Sequence, residues 1–206
     1  GYGINGTALR WFKNYLTNRK QRVSLDGVMS DPCDIVIGVP QGSILGPFLF
    51  LVYINDLPLS SDFLLNLFAD DTSAQMSAQS LDELIQKTNT ELIKLAGWFK
   101  TNRLTLNPDK TKYIIFGDKS STQHEILLGD HKLDRIGKYQ KEKSFKFLGI
   151  KIDEELNWDS HIEYIRNKIN ITSFYILRNR NKLSATTKTL IYKSLVKHLA
   201  EYGIQI

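Results

Sequence analysis

Apolar residues recur along this chain with the period of an amphipathic helix in several segments. The clearest is Leu81 to Lys100, where they return every three or four positions, and Ser80 with Glu83 forms a capping box at its start. Further helices are predicted over 7–18 and 44–57. After Trp158 the pattern predicts two antiparallel helices with a hinge at 181–185, and Ser184 is the predicted cap of the second.

Shorter apolar runs, interrupted by polar residues, predict strands between these helices. Four are predicted at 21–25, 34–37, 112–116 and 125–128, the first two joined into a hairpin by the loop 26–32. A fifth run, Phe63 to Phe68, leads through Ala69-Asp70-Asp71 into a more polar stretch, 72–78. This pattern predicts a hairpin with the acidic pair at its apex, and the whole chain is predicted to be α+β.

The composition indicates a folded chain with a substantial core. It has 206 residues, of which 42% are hydrophobic, and a single cysteine, Cys33. One cysteine excludes an intramolecular disulfide, and its alternating surroundings predict a small core residue. With no leader and no apolar run of membrane length, the sequence predicts an intracellular protein that does not enter a membrane.

Basic residues are concentrated near the end of the sequence. Between Tyr164 and Ala200 there are eight and no acidic residue, so the rest carries −3 although the whole chain carries +5. They are Arg166, Lys168, Arg178, Arg180, Lys182, Lys188, Lys193 and Lys197. One sign of charge on predicted helices is typical of a phosphate-binding surface, with a solvated basic face as the alternative.

Two segments carry candidate chemistry. Asp70 and Asp71 could hold a divalent cation with their carboxylates, although Asp is also an ordinary turn residue. About thirty residues upstream, the segment Gly38 to Pro47 has three glycines, Pro40 and the amide of Gln41. Backbone could approach a ligand closely there, or the segment could be a tight turn from strand to helix.

In this order and spacing the two segments resemble the palm of reverse transcriptases, most closely those of non-LTR retrotransposons of the jockey-like kind. Pro40-Gln41-Gly42 resembles motif B, and Phe68-Ala69-Asp70-Asp71 resembles motif C, with Phe where many members have Tyr. Further resemblances follow in order: Trp98 to Asn107 with Lys110-Thr111 to motif D, Phe147 to Ile150 to motif E, and Leu156 to Trp158 with His161-Ile162 to the entry into the thumb.

The resemblance implies a partial palm, an antiparallel sheet with packed helices, over residues 1–154, and a helical thumb segment, truncated, over 155–206. It implies RNA-directed DNA polymerisation in the nucleus or cytoplasm, using an RNA template, a DNA primer and deoxynucleoside triphosphates. Two Mg²⁺ ions would serve the complete enzyme, with Asp70 as principal ligand and Asp71 as secondary ligand.

The resemblance also implies roles for other residues. Pro40, Gln41, Gly42 and Phe68 would contact template and nucleotide, and Phe147, Leu148 and Gly149 would form the primer grip, although apolar strand residues also suit a core. Lys110 would protonate the pyrophosphate leaving group, or is an ordinary surface lysine. Arg166, Lys168, Arg178, Arg180, Lys182 and Lys188 would bind the duplex.

One family feature is missing from the sequence. Reverse transcriptases use another aspartate, in motif A, which is expected upstream of Thr7, and no aspartate occurs in the first eighteen residues. The sequence therefore predicts a fragment that is inactive alone. The alternative function is that of a catalytically dead or domesticated remnant that binds nucleic acid.

Overall fold

The structure is a computed structural model that describes residues 3–118, 120 and 122–202. The chain divides into two compact units, Gly1–Met76 and Ser77–Ile206. Both contain helices and strands, so the predicted α+β class is confirmed. The outermost residues of the predicted palm and thumb, 1–2 and 203–206, lie outside the described residues, and the boundary at 154 stays a prediction. Within the described residues, no helix combines the length and hydrophobicity needed to cross a membrane.

The first unit opens with a helix and two nested hairpins. Helix α1 (Gly6–Leu16) matches the prediction, and the strands after it are β1 (Arg19–Gln21), β2 (Ser24–Leu25), β3 (Val28–Met29) and β4 (Cys33–Ile35). Strand β1 pairs with β4 and β2 with β3, both antiparallel. Asp26 and Gly27, at φ 49° and 81°, form the two-residue turn that joins β2 to β3. The predicted loop 26–32 was therefore wrong in part, because it contains a strand.

The prediction of a core position for Cys33 was also wrong. Cys33 lies on β4 and is exposed. Strand β4 pairs only with β1 among the described strands, so the alternating sequence does not place either face of this pair in a core.

The rest of the first unit carries the acidic hairpin. Helix α2 (Leu45–Tyr53) is followed by a 3₁₀ turn (Leu57–Leu59), so the single helix predicted over 44–57 is interrupted where Asn55 and Asp56 favour a turn. Strands β5 (Leu64–Phe68) and β6 (Asp71–Gln75) then form the predicted antiparallel hairpin.

The second unit begins with the long helix α3 (Leu81–Thr101). Ser80 Oγ accepts a hydrogen bond from Glu83 N at 3.3 Å, and the Glu83 carboxylate accepts one from Gln79 N at 3.3 Å. The predicted capping box therefore exists, with Glu83 reaching one residue beyond the cap. The predicted apolar stripe contains the buried residues Leu92 and Leu95.

Short strands follow α3 in pairs. They are β7 (Lys112–Ile114), β8 (Leu127–Leu128), β9 (His131–Lys132) and β10 (Asp134–Ile136). Strand β8 pairs with β9 antiparallel, and β10 pairs with β7 parallel. Asn89 ties α3 to this region, because its side chain donates to Glu125 O at 2.8 Å and accepts from Leu127 N at 2.9 Å. The described strands of the chain all pair two by two, without a larger sheet.

A buried charge network crosses this unit. The side chain of Arg135 is 1% exposed and forms ion pairs with Asp118 at 3.0 Å and Glu154 at 3.2 Å. Asp118 also accepts a hydrogen bond from Ser120 N at 2.8 Å and contacts His124 Nε2 at 3.1 Å. The network ties β10 to the segment that begins at Glu154.

A hairpin and a helical segment complete the unit. Strands β11 (Ser144–Phe147) and β12 (Ile150–Asp153) are antiparallel and lead to α4 (Asp159–Arg178), α5 (Ala185–Tyr192), a π-helical turn (Lys193–Lys197) and α6 (His198–Glu201). Buried Asp153 accepts hydrogen bonds from Glu155 N at 3.1 Å and Asn157 N at 3.2 Å, which fixes the turn before α4. Ser184 caps α5 through Thr187 N at 3.1 Å, as predicted. Helix α4 contacts both the π-helical turn and α6, so the chain returns along α4.

Candidate functional site

Asp70 and Asp71 lie at the tip of the β5–β6 hairpin. Phe68 pairs with Asp71 across the strands, which leaves Ala69 and Asp70 as the two turn residues. Side chains of directly opposite residues project from the same face of a hairpin, so the side chains of Asp71 and Phe68 lie on one face. Both carboxylates and the Phe68 ring are exposed.

The turn itself is strained at Ala69. Its φ is 51°, in the left-handed region that costs a residue with a β carbon roughly 1–2 kcal/mol. Strain of this kind is common at functional sites, where surrounding structure holds an unfavourable conformation in place. Here the paired strands hold it directly beside Asp70.

The two carboxylates are available as ligands. Neither forms an ion pair or a side-chain hydrogen bond with another residue in the described part of the chain. Exposed carboxylate oxygens are the hard donors that Mg²⁺ prefers. No group of three or more His, Cys, Asp or Glu side chains among the described residues could hold a metal ion, so this turn offers two carboxylates without a third protein ligand.

The glycine-rich loop belongs to the same unit and is fixed by a serine. Ser43 Oγ donates to Pro40 O at 2.7 Å and accepts from Gly46 N at 3.0 Å. Gly42 has φ 75° and open space where a β carbon would be, and Gln41 beside it is exposed. The loop therefore presents backbone and the Gln41 amide at the surface.

The predicted motif E residues form the tip of the β11–β12 hairpin. Phe147 pairs with Ile150, and Leu148 and Gly149 are the turn, with φ 46° and 96°. The core alternative treated Leu148 as a strand residue, and this was wrong, because positive φ at both positions makes a tight two-residue turn. Its side chain is 37% exposed, which does not suit the core alternative.

Lys110 is also in the second unit, in the turn before β7. Its backbone N–H donates to Asn107 Oδ1 at 3.2 Å, and the residue is exposed. Within the described structure its ammonium has no ion-pair partner. The role of Lys110 as a proton donor stays a prediction.

The predicted duplex-binding residues are spread over α4, the following turn and α5. Five are exposed and Lys188 is half-buried, and none pairs with a carboxylate among the described residues. They do not share one face, since Arg166 and Lys168 are about 160° apart around α4. The structure therefore spreads this positive charge around the helix.

The structure adds two supporting residues to the predicted site. Ser43 fastens the glycine-rich loop, and the general preference of serine for turns was its signal. Tyr202 donates its hydroxyl to Leu148 O, and its ring lies 3.0 Å from where a β carbon of Gly149 would be. This contact spans 54 residues of sequence, and no local pattern predicts it.

Comparison with known proteins agrees with the motifs. A family model described as reverse transcriptase (RNA-dependent DNA polymerase) matches residues 3–152. The chain is similar to the RNA-directed DNA polymerase from mobile element jockey of Drosophila melanogaster, with 29% identity over 94% of this chain. It is also similar to the probable RNA-directed DNA polymerases from transposon X-element and transposon BS of the same fly, with 26% and 28% identity over 94% of this chain.

The chain spans 22% of the length of each of these relatives. No solved structure matches it significantly. The family model nevertheless covers well over half of the chain, and it includes both the glycine-rich loop and the acidic hairpin. The resemblance predicted from the motifs is thereby confirmed, and the chain belongs to the reverse transcriptase (RNA-dependent DNA polymerase) family.

Proposed function

We propose that this chain supplies palm and thumb segments, divided near residue 154, to an RNA-directed DNA polymerase of the non-LTR retrotransposon type. The complete polymerase would copy an RNA template from a DNA primer with deoxynucleoside triphosphates. The observation that supports this best is the exposed pair Asp70 and Asp71, free of ion pairs at a hairpin tip, in a chain of this family.

Asp70 is proposed as the principal Mg²⁺ ligand and Asp71 as the secondary ligand. The donors fit the ion, since they are exposed carboxylate oxygens that form no ion pair within the described structure. Two such ions, when bound, would supply charge stabilisation to both the attacking and the leaving oxygen. Two carboxylates fill only part of their coordination, so the polymerase needs the motif A aspartate that the family resemblance predicts.

The remaining residues would place the substrates. Pro40 shapes the glycine-rich loop, Gly42 leaves room for close approach, and the exposed Gln41 amide can donate and accept hydrogen bonds. Phe68 offers an exposed ring on the same face as Asp71. These features suit contact with a template base and an incoming nucleotide.

Three other groups would act on the primer and product. Lys110 has an exposed ammonium that could give a proton to pyrophosphate. Phe147, Leu148 and Gly149, at the tip of the β11–β12 hairpin, would hold the primer end. The basic residues of α4 and α5 would attract the duplex backbone.

Primer extension by the full-length polymerase tests the assignment of Asp70. We expect Asp70→Ala to lower the rate by more than the roughly 10- to 100-fold typical of removing a residue that only supports a metal ligand. Asp130→Ala is the matched control, because Asp130 also follows a positive-φ residue in the two-residue turn of the β8–β9 hairpin. Full activity of Asp70→Ala would reject the assignment.

The alternative, a catalytically dead protein that binds nucleic acid, predicts a different result. Binding would persist in EDTA and weaken steeply with salt, while no primer would be extended even with Mg²⁺ present. Activity in the unsubstituted polymerase would exclude this alternative.

A further inference from the structure

Three lysines converge on one tyrosine ring where the β11–β12 hairpin meets α4. The Nζ atoms of Lys146, Lys151 and Lys168 lie 5.4, 5.4 and 4.7 Å from the ring centroid of Tyr164. We call these four residues the lysine–tyrosine cluster. All belong to the second unit, and only Lys168 was among the predicted nucleic-acid-binding residues.

The strand register forces two of these charges together. Lys146 and Lys151 are directly opposite in the β11–β12 pair and therefore project from the same face. Like charges in this position repel and destabilise a hairpin. Helix α4 adds a third ammonium to the same place, so the isolated fold leaves an unfavourable concentration of positive charge.

Other lysines of the same unit are neutralised. Lys87 pairs with Glu83 at 2.6 Å, Lys138 with Glu155 at 2.9 Å, and Lys112 with Glu142. By contrast, the cluster lysines form no ion pair with any carboxylate of the described chain. The Tyr164 ring attracts all three, but one half-buried aromatic ring compensates weakly for three charges.

The arrangement is held by both elements. Lys151 N donates to His161 Nδ1 at 3.3 Å, which joins β12 to α4, and the His161 ring stacks near Tyr164 with centroids 6.3 Å apart. Hydrogen bonds from the ammonium groups of Lys168 and Lys146, together with their positive charge, lower the pKa of Tyr164. The backbone of the hairpin and helix α4 are therefore joined beside Tyr164, where the three ammonium groups lie around one ring.

An open concavity of about 350 Å³ lies beside the cluster. Its lining includes Lys151, Ser160, Glu163, Tyr164, Asn167 and Lys168. Glu163 contributes one negative charge but forms no ion pair with the cluster lysines in the described structure, so positive charge dominates. Ser160 and Asn167 add neutral hydrogen-bonding groups.

We propose that the lysine–tyrosine cluster binds backbone phosphates of a nucleic acid strand, with Lys146, Lys151 and Lys168 as the phosphate ligands. Each ammonium is a compact charge with three donors, which suits phosphate oxygens. An open concavity suits a strand that passes across it better than a small anion, because small ligands are mostly enclosed by their sites. This inference rests on the proposed polymerase function and extends the binding surface from the tip of the hairpin to its paired strands.

Binding of a short fluorescent RNA–DNA hybrid to the full-length polymerase tests the proposal. The affinity is measured by anisotropy over a series of salt concentrations in EDTA, so that catalysis does not contribute. The triple variant Lys146→Gln/Lys151→Gln/Lys168→Gln should bind the hybrid more weakly. The slope of log affinity against log salt should become shallower by about 2 to 3, because each phosphate that is no longer neutralised contributes about 0.9.

The control removes the same charge from neutralised positions. Lys87→Gln/Lys112→Gln/Lys138→Gln should leave the slope unchanged, since each of these lysines already has a glutamate partner. Equal losses in both triple variants, or no loss in the cluster variant, would overturn the proposal. Displacement of the hybrid from the cluster by inorganic pyrophosphate at equal concentration would also overturn it, because the site would then prefer a free anion.

A second measurement uses the unsubstituted polymerase and does not depend on the variants folding. The bound hybrid should protect Lys146, Lys151 and Lys168 from chemical acetylation, while Lys87 and Lys138 react as before. Unchanged acetylation of the three cluster lysines would contradict the inference. Primer extension, read separately, shows whether the polymerase function stands, so the inference can fail while that function remains.

Discussion

Gly46 shows how one residue maintains the glycine-rich loop. It is buried, and an added β carbon would lie 2.9 Å from Ser43 Oγ and 3.0 Å from Pro40 O. Both atoms belong to the hydrogen bonds that fix the loop. We expect Gly46→Ala to reduce the free energy of unfolding by about 1–3 kcal/mol, as for an overpacked site, and to displace Ser43.

Urea unfolding followed by circular dichroism measures this change. Gly97→Ala is the control, because Gly97 lies inside α3 with open space around its would-be β carbon. Alanine there should stabilise the chain by about 0.5–1 kcal/mol, since it loses less conformational freedom on folding. Equal midpoints of urea unfolding for the two variants would show that the glycine-rich loop tolerates a β carbon at position 46.

Asp118 makes stability depend on pH. Burial alone would raise the pKa of Asp118, but hydrogen bonds from Ser120 and His124 and the Arg135 guanidinium outweigh it and hold the pKa well below the ordinary value. Because the pKa of Asp118 is lower in the folded chain than in the unfolded chain, its ionised carboxylate stabilises the fold. This stabilisation is complete above the pKa of the unfolded chain, near 3.9, and is lost as the pH falls through the pKa of the folded chain.

Asp118→Asn should therefore destabilise the chain most at neutral pH. Removing one partner of a buried ion pair lowers the free energy of unfolding by about 3–5 kcal/mol. We expect this difference between the variant and the unsubstituted chain to shrink steadily below about pH 4. Urea unfolding at a series of pH values measures it, with the exposed Asp134→Asn as control. A difference that stays constant down to strong acid would contradict this account of Asp118.

At the scale of elements, the two hairpins with proposed functional roles differ in how well the sequence predicts them. The β5–β6 hairpin was predicted because its apolar run ends at two aspartates, which favour turns. The β11–β12 hairpin was not, because Phe147, Leu148, Gly149 and Ile150 look like one apolar strand. Its turn places Leu148 at φ 46°, where asparagine or glycine would be expected.

Longer-range contacts account for much of the rest. Arg135 joins Asp118 to Glu154, and Asn89 joins α3 to β8, through bonds between residues 17 to 38 positions apart. Helical periods and capping signals predicted α1, α3 and Ser184 because those patterns are local. The same local patterns contain no information on which distant partner a buried arginine finds.

The strained turn of β11–β12 leads to a prediction that separates stability from activity. Leu148→Asn creates the Asn-Gly pair that this type of turn favours, so we expect the free energy of unfolding to rise by about 1 kcal/mol. If exposed Leu148 contacts the primer as proposed, primer extension by the full-length polymerase should fall in the same variant. A variant that is more stable and fully active would remove Leu148 from the proposed primer grip.

At the scale of the whole molecule, the charge is divided unevenly. Eight basic residues and no acidic residue lie between Tyr164 and Ala200, and the remainder of the chain is net negative. In the structure this basic segment comprises most of α4 and all of α5, with exposed side chains on several faces. A helix surrounded by positive charge suits the curved backbone of a duplex better than a single flat partner, because phosphates can be contacted from more than one side.

The proposed role of the basic segment is tested most directly at Arg178, Arg180 and Lys182. These residues are exposed around the end of α4 and are not members of the lysine–tyrosine cluster. Replacing all three with glutamine in the full-length polymerase should weaken binding of an RNA–DNA hybrid in EDTA and reduce the salt slope by about 2 to 3. The same variant should keep its metal-dependent chemistry at saturating hybrid, since none of the three is a proposed metal ligand. Unchanged affinity would exclude this end of α4 from the duplex-binding surface, whereas lost chemistry at saturation would place it in the catalytic site.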